Sequence, residues 1–216
     1  MAIVHLAPFV KISRLSVQNE LAAALGLTEA RAAKAETGKP YLKAPDGSMR
    51  GLSISHVRRA TLPLSFMAVT TRADFAIDAE SWPAHEASSG FLTSVMTPQD
   101  KPLVEKLAGL CVDPAVSLWA VKEAALKASG EVMNDPRHLS ATMSRNGHIW
   151  VESSATASAP LPPAQVFLFK FIMDPEQPAI LLALAFAGLS QQSGADMTPN
   201  LQLVGAQGEL QPLTLR

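Results

Sequence analysis

The chain has one cysteine, Cys111, among 216 residues. No disulfide can form within it, which fits a reducing compartment. A lone thiol in this setting reads as a helix-packing group, not a nucleophile. An excess of charge is also missing. The net charge is −1, so no broad attraction to nucleic acid or to a membrane follows. Long hydrophobic runs are missing too. The longest, residues 179–189, falls short of the roughly 20 residues needed to span a bilayer. Residues 1–10 are apolar but short, with no charged leader and no clear cleavage site, so they do not read as a secretory signal. There is no Gly-rich phosphate loop and no Ser–His–Asp order. His85, His138 and His148 lack metal-ligand spacing. These absences together predict a cytoplasmic protein without nucleic-acid or membrane partners.

What is present is enough apolar material for a core. Hydrophobic residues make up 48% and charged residues 17%, which excludes general disorder. The length suits one large domain or two small lobes. A helix is expected near 17–25, then strands near 52–56, 64–70 and 75–78. A second helix is expected over 114–129, followed by strands near 139–144, 148–153, 166–173 and 179–187. Asn146-Gly147 predicts a two-residue hairpin turn. Thr97 with Asp100 predicts a capped helix running to about Leu110. Residues 155–163 read as a small, proline-rich loop.

A helix followed by antiparallel strands, twice over, argues an α+β fold of two similar lobes, each a helix on a mainly antiparallel sheet. The division expected is 1–95 for the N-terminal lobe, 96–190 for the C-terminal lobe and 191–216 for a partly flexible tail, whose last residues either add an edge strand or stay mobile. Trp82, Trp150, Met96 and Met133 read as packing groups.

Four short blocks carry chemistry. The first runs Ser117-Leu118-Trp119-Ala120-Val121-Lys122-Glu123-Ala124-Ala125-Leu126-Lys127-Ala128-Ser129-Gly130. Asp113 can cap its start, Pro114 suits the first helical position, and Gly130 suits a left-handed stop. Leu118, Val121, Ala125 and Ala128 form the buried stripe. Trp119, Glu123 and Lys127, spaced by four, form a separate line on the same rod. The plain alternative is a surface Glu–Lys pair worth roughly 0.2–0.5 kcal/mol.

The second block is Ile77-Asp78-Ala79-Glu80. In a strand, both carboxylates leave one face. They repel unless they are solvated or share a cation, and hard oxygens of this kind suit Mg²⁺. The alternative is a solvated strand end. The third block is Ser53-Ile54-Ser55-His56, a half-buried strand whose end could donate to an anion or simply hold a satisfied histidine. The fourth is Thr37-Gly38-Lys39-Pro40-Tyr41-Leu42, a turn before an extended segment. There Lys39 could meet a phosphate or only water.

The order of these blocks is more specific than any one of them. Gly-Lys-Pro-Tyr-Leu, Ser-Ile-Ser-His, Ile-Asp-Ala-Glu and Trp-x-x-Lys-Glu-Ala-x-x-Lys-x-x-Gly follow one another over 38–130. The series resembles the 4'-phosphopantetheinyl transferase superfamily, in particular its larger single-chain type that activates peptide and polyketide synthases. The resemblance implies a pseudo-twofold fold with the site between the lobes. It implies a monomer that moves the phosphopantetheine arm of coenzyme A onto a serine of an acyl or peptidyl carrier protein, with Mg²⁺ as cofactor. Asp78, Glu80 and Glu123 match the family's metal positions, and Glu123 also matches the proposed general base. Lys127 matches the lysine that approaches the pyrophosphate. Ser55 and His56 match the block on the coenzyme A phosphates, and Lys39 and Pro40 match the turn beside the nucleotide.

The chain also departs from the pattern. Ala76 stands where the family usually has glycine. Val57, Arg58 and Arg59 follow the Ser-His pair where serine is common. The stretch before Gly38 is shorter than in larger-type members, and none of its basic residues Lys11, Arg14, Arg31 and Lys34 can be assigned to the 3'-phosphate. A non-catalytic module of the same ancestry, binding a carrier protein or a nucleotide, is the alternative these departures keep open.

Overall fold

In a computed structural model, the structure describes residues 2–10, 14–27, 29–57, 64–81, 89–110, 113–131, 135–154, 160–174, 176, 178–189, 197–205 and 208–213. Lys11, Arg58, Arg59, Trp82, His85, Cys111 and Met133 lie outside those residues.

The described chain is α+β, with two mainly antiparallel sheets and few helices. The strands of the first sheet are β1 (Ala2–Phe9), β2 (Arg31–Lys34), β3 (Pro40–Lys43), β4 (Met49–His56), β5 (Ser65–Thr70) and β11 (Pro199–Leu203). They lie in the order β11-β1-β5-β4-β3-β2, antiparallel except for the parallel pairing of β11 with β1. The second sheet contains β6 (Phe75–Ser81), β10 (Ile180–Ala187), β9 (Ala164–Ile172), β8 (Ile149–Ser153) and β7 (Leu139–Met143), in that order, and β12 (Glu209–Pro212) also pairs with β9. The helices are α1 (Arg14–Ala24), α2 (Ser89–Val95), α3 (Lys101–Ala108) and α4 (Pro114–Ser129).

Period-two alternation sorts the apolar side chains into three cores. Val4, Leu6, Phe66 and Ala68 of the first sheet meet Phe75, Ile77, Ala79, Leu182 and Leu184 of the second. The opposite faces of β1 and β5, through Ala7, Phe9, Met67 and Val69, pack against Leu21 and Ala22 of α1. Leu181, Ala183 and Ala185 of β10 pack instead against Leu118, Val121, Ala124 and Ala125 of α4. The layers therefore run α1, first sheet, second sheet, α4. The 82-to-112 stretch supplies α2 and α3, which lie against α4. That extra cover explains why α4 is buried on nearly every side. Only a narrow line that includes Trp119, Glu123 and Lys127 stays half-buried, as expected of a helix enclosed in a core.

Several expectations need adjustment. β1 occupies the apolar start of the chain, where no strand was expected. β6 belongs to the second sheet: Asp78 is paired with Ala183 of β10. The 199–212 stretch gives one strand to each sheet. The Thr97 start is a short 3₁₀ turn continuing into α3, which ends at Ala108, two residues before Leu110. The Asn146-Gly147 turn has a three-residue loop. Ser144 and His148 close it, with the Gly147 N–H bonded to the Ser144 carbonyl, the type I turn plus left-handed glycine common in hairpins. Ala35 and Lys39 close a second such turn around Glu36-Thr37-Gly38, with Gly38 at φ 87°. Met96 and Trp150 do serve as packing groups.

Candidate functional site

The site forms where β6, at the edge of the second sheet, passes over β4 of the first. The two strands are not joined by a backbone ladder. Two serine hydroxyls join them instead. Ser53 Oγ accepts from the Ile77 N–H at 2.9 Å, and Ser55 Oγ accepts from the Ala79 N–H at 3.0 Å. Alternation then fixes which β6 side chains turn the other way. Ile77 and Ala79 enter the inter-sheet core, so Ala76, Asp78 and Glu80 face α4. Ala76 packs among the α4 side chains. Its methyl group thus occupies the contact where the resemblance expects glycine.

α4 brings its own charges to this face. The Asp113 side chain caps the helix start by accepting from the Ala115 and Val116 N–H groups, at 2.9 and 3.1 Å. The helix ends at Gly130, φ 85°, a left-handed conformation that L side chains adopt only at a cost. The Gly130 N–H reaches the Lys127 carbonyl and the Glu131 N–H reaches the Leu126 carbonyl, which is the Schellman pattern. Between these fixed ends, Lys127 Nζ donates to Asp78 Oδ1 at 2.6 Å and lies 3.1 Å from Glu123 Oε1. Two carboxylates from elements 40-odd residues apart therefore share one ammonium.

Asp78 is 3% exposed. Its Oδ1 accepts from both Lys127 and Ser55, the latter at 3.0 Å. Its Oδ2 is buried and has no hydrogen-bond partner among the described residues. A buried carboxylate oxygen left unpaired is costly and calls for an explanation. Burial disfavours the Lys127 ammonium, but Asp78 and then Glu123 outweigh that effect and raise its pKa above the usual lysine value.

That direction has a testable consequence. A pKa higher in the folded than in the unfolded state gives stability that is complete below the unfolded value, 10.5, and is lost as pH rises through the folded one. The stability gap between the wild type and Lys127→Met, measured by urea unfolding, should stay constant from pH 7 to about 10 and shrink only at higher pH. A gap that already closes between pH 7 and 9 would contradict the raised pKa.

Beside Lys127 opens a cleft of about 360 Å³, lined by Thr37, Gly38, Lys39, Pro40, Ser53, Ala76, Lys127 and Gly130 among others. It sits at the carbonyl end of α4, where the helix dipole is negative, so an anion there needs added positive charge. Lys39 and Lys127 supply it. Lys39 donates to the Ala128 carbonyl. Burial lowers its pKa, with Asp74 opposing the shift.

The structure thus brings together Asp78, Glu123, Lys127 and Ser55, and sets Lys39 and Pro40 on the adjoining cleft. Ser55 and His56 do not line that cleft. Ser55 is buried beneath β6, and exposed His56 pairs through Nδ1 with Ser65 Oγ at 2.6 Å. Glu80 is half-buried, on the same face of β6 as Asp78. Arg31 and Lys34 lie exposed on β2.

Among the described residues, no three His, Cys, Asp or Glu side chains gather closely enough to hold a metal. The residues fit a Mg²⁺ ion in their chemistry, since they offer hard oxygens and one unpartnered buried oxygen. They bring two of the three expected carboxylates onto a single cation, the Lys127 ammonium, and leave Glu80 outside that contact.

The sequence reading gave no role to Lys122 or to Asp100 beyond its cap. Both side chains are fully buried. Lys122 Nζ donates to Asp100 Oδ2 at 2.7 Å, to the Val95 carbonyl at 2.7 Å and to the Pro136 carbonyl at 3.1 Å. Asp100 also accepts from the Thr97 and Ala141 N–H groups, both at 2.6 Å. This network clamps α4 to the 3₁₀ turns and β7. Burial drives the Lys122 pKa down, with Asp100 opposing. The signal was available in the spacing: position 122 is four after Leu118 and three before Ala125, so it falls on the buried stripe.

No protein-family model matches this chain, and comparison with curated proteins finds no match. No helix among the described residues is long and apolar enough to cross a membrane.

Proposed function

We propose that this chain is a Mg²⁺-dependent 4'-phosphopantetheinyl transferase of the pseudo-twofold fold. It would move the phosphopantetheine arm of coenzyme A onto a serine of a carrier protein. The observation that carries this reading is the Asp78–Lys127–Glu123 contact, whose lysine also lines a cleft with Lys39 and Pro40. Acids and bases far apart in sequence meet there.

Phosphoryl transfer asks for positioning and charge neutralisation more than covalent help. In this reading, Asp78 and Glu123 would hold Mg²⁺, with Glu80 completing the set. The ion, when bound, supplies Lewis-acid polarisation and a template for the pyrophosphate. Lys127 turns from the carboxylates to the pyrophosphate and offsets charge on the departing phosphate. Lys39 and the turn at Gly38 and Pro40 hold the nucleotide in the cleft. Glu123 takes the proton from the attacking serine hydroxyl. The serine oxygen bonds to the phosphorus that bears the pantetheine arm. The bond from that phosphorus to the bridging pyrophosphate oxygen breaks, and adenosine 3',5'-bisphosphate leaves.

The test is mass spectrometry of an apo carrier protein incubated with this chain, coenzyme A and Mg²⁺. The expected result is a gain of one phosphopantetheine mass, lost with EDTA and with Glu123→Gln. Tight carrier binding with no mass change would instead favour the non-catalytic module. Turnover of other nucleotide diphosphates with coenzyme A ignored would overturn the substrate.

A further inference from the structure

The structure assigns Ser55 a task different from phosphate contact: we infer that it is a positioning residue that aims Asp78 at its cation. This rests on the metal reading above. Ser55 is 3% exposed, and its hydroxyl is committed twice. It accepts from the Ala79 N–H at 3.0 Å and donates to Asp78 Oδ1 at 3.0 Å. A hydroxyl has one proton to give, so the Ser55 proton spent on Asp78 is not available to a phosphate.

The effect on Asp78 is directional. Ser55 and Lys127 both hold Oδ1. Oδ2 is thereby left as a buried oxygen with no partner among the described residues, and it is the oxygen that would meet a cation. Groups that orient a metal-binding carboxylate in this way typically change metal affinity by 10- to 100-fold when removed.

Ser53 is the built-in comparison. Two residues earlier on β4, it makes the same kind of bridge to the Ile77 N–H at 2.9 Å. It faces no carboxylate in that contact, because Ile77 enters the inter-sheet core. A merely structural role for Ser55 would make the two serines equivalent.

The experiment measures Mn²⁺ affinity by electron paramagnetic resonance on the full chain, and adenosine 3',5'-bisphosphate affinity by calorimetry in EDTA. Ser55→Ala is expected to weaken Mn²⁺ binding about 10- to 100-fold and leave metal-free nucleotide binding unchanged. Ser55→Thr, which keeps the hydroxyl, is expected to restore Mn²⁺ binding to within a few-fold of wild type. Ser53→Ala, which removes a cleft-lining hydroxyl but no contact to Asp78, is expected to keep wild-type Mn²⁺ affinity when no nucleotide is present. Should Ser55→Ala not fold, Ser55→Cys, only a weak donor, carries the same expectation. Mn²⁺ affinity indifferent to Ser55→Ala, or equally reduced by Ser53→Ala, overturns the assignment while leaving the transferase reading intact. Weakened nucleotide binding in EDTA also overturns it, in favour of phosphate contact. A wild type that binds no Mn²⁺ sinks the metal reading and this role with it.

Discussion

Asp78→Asn should lower carrier-protein modification by on the order of 10³-fold while the fold survives. The reasoning follows the two oxygens separately. The amide keeps an acceptor at Oδ1, so Ser55 and Lys127 retain their bonds there. What disappears is the negative charge and the second oxygen, the one atom of the group with no partner among the described residues. Little that holds the chain together depends on that oxygen. The hydrogen bond from Lys127 becomes a charge-to-neutral contact, so the stability loss should be about 1–2 kcal/mol. Initial rates by mass spectrometry, with urea unfolding on the same samples, check both halves. A variant that kept more than a tenth of the wild-type rate would remove Asp78 from the chemistry. A variant that did not fold would show that the Asp78–Lys127 pair is chiefly a structural joint between β6 and α4.

Lys122→Met has the opposite profile. It is expected to cost about 3–5 kcal/mol, a large share of a typical total stability of roughly 5–15 kcal/mol. Lys122 touches neither the cleft nor the acid pair. It neutralises Asp100 in a place closed to water and satisfies the carbonyls of Val95 and Pro136. Methionine fills the space but leaves a buried carboxylate with no counter-charge and two carbonyls unpaired. The double variant Lys122→Met, Asp100→Asn should recover part of the loss, because the stranded charge is gone. The size of that recovery measures the coupling. Urea unfolding of Lys122→Met, Asp100→Asn and the double variant decides the matter. A loss below about 1 kcal/mol for Lys122→Met would mean that the carboxylate finds water or another partner.

These two lysines, five residues apart, show what the sequence could and could not disclose. α4 was legible from end to end: Pro114, Asp113 and Gly130 mark its bounds, and the observed Pro114–Ser129 helix follows them. The line of Trp119, Glu123 and Lys127 was legible too, since helical spacing alone sets it. The strand character of β6 was readable from Phe75, Ile77 and Ala79. Its address was not. A period-two pattern says which face is apolar, not which sheet will accept the strand, and β6 pairs with a strand a hundred residues later. The same limit hid Ser55. Alternation placed its side chain on one face of β4, but only the crossing of β4 and β6 shows that face turned toward Asp78 and not toward solvent. β1 was missed because an apolar opening segment has no polar partner positions to reveal alternation: its buried and half-buried residues run almost without a break.

The 199–212 stretch bears on how such a chain reaches its native form. Its first strand lies parallel beside β1, and its second continues along β9 where β8 leaves off, opposite Phe169 to Ile172. Both host strands are rich in apolar residues and both have backbone donors and acceptors to offer on that side. During synthesis from the amino terminus, β1 gains β5 early but waits nearly two hundred residues for its second neighbour. Until then its open hydrogen-bonding edge can recruit another nascent chain. The distance along the chain between β1 and β11 therefore sets how long that edge stays open, and β11 is the strand that closes it.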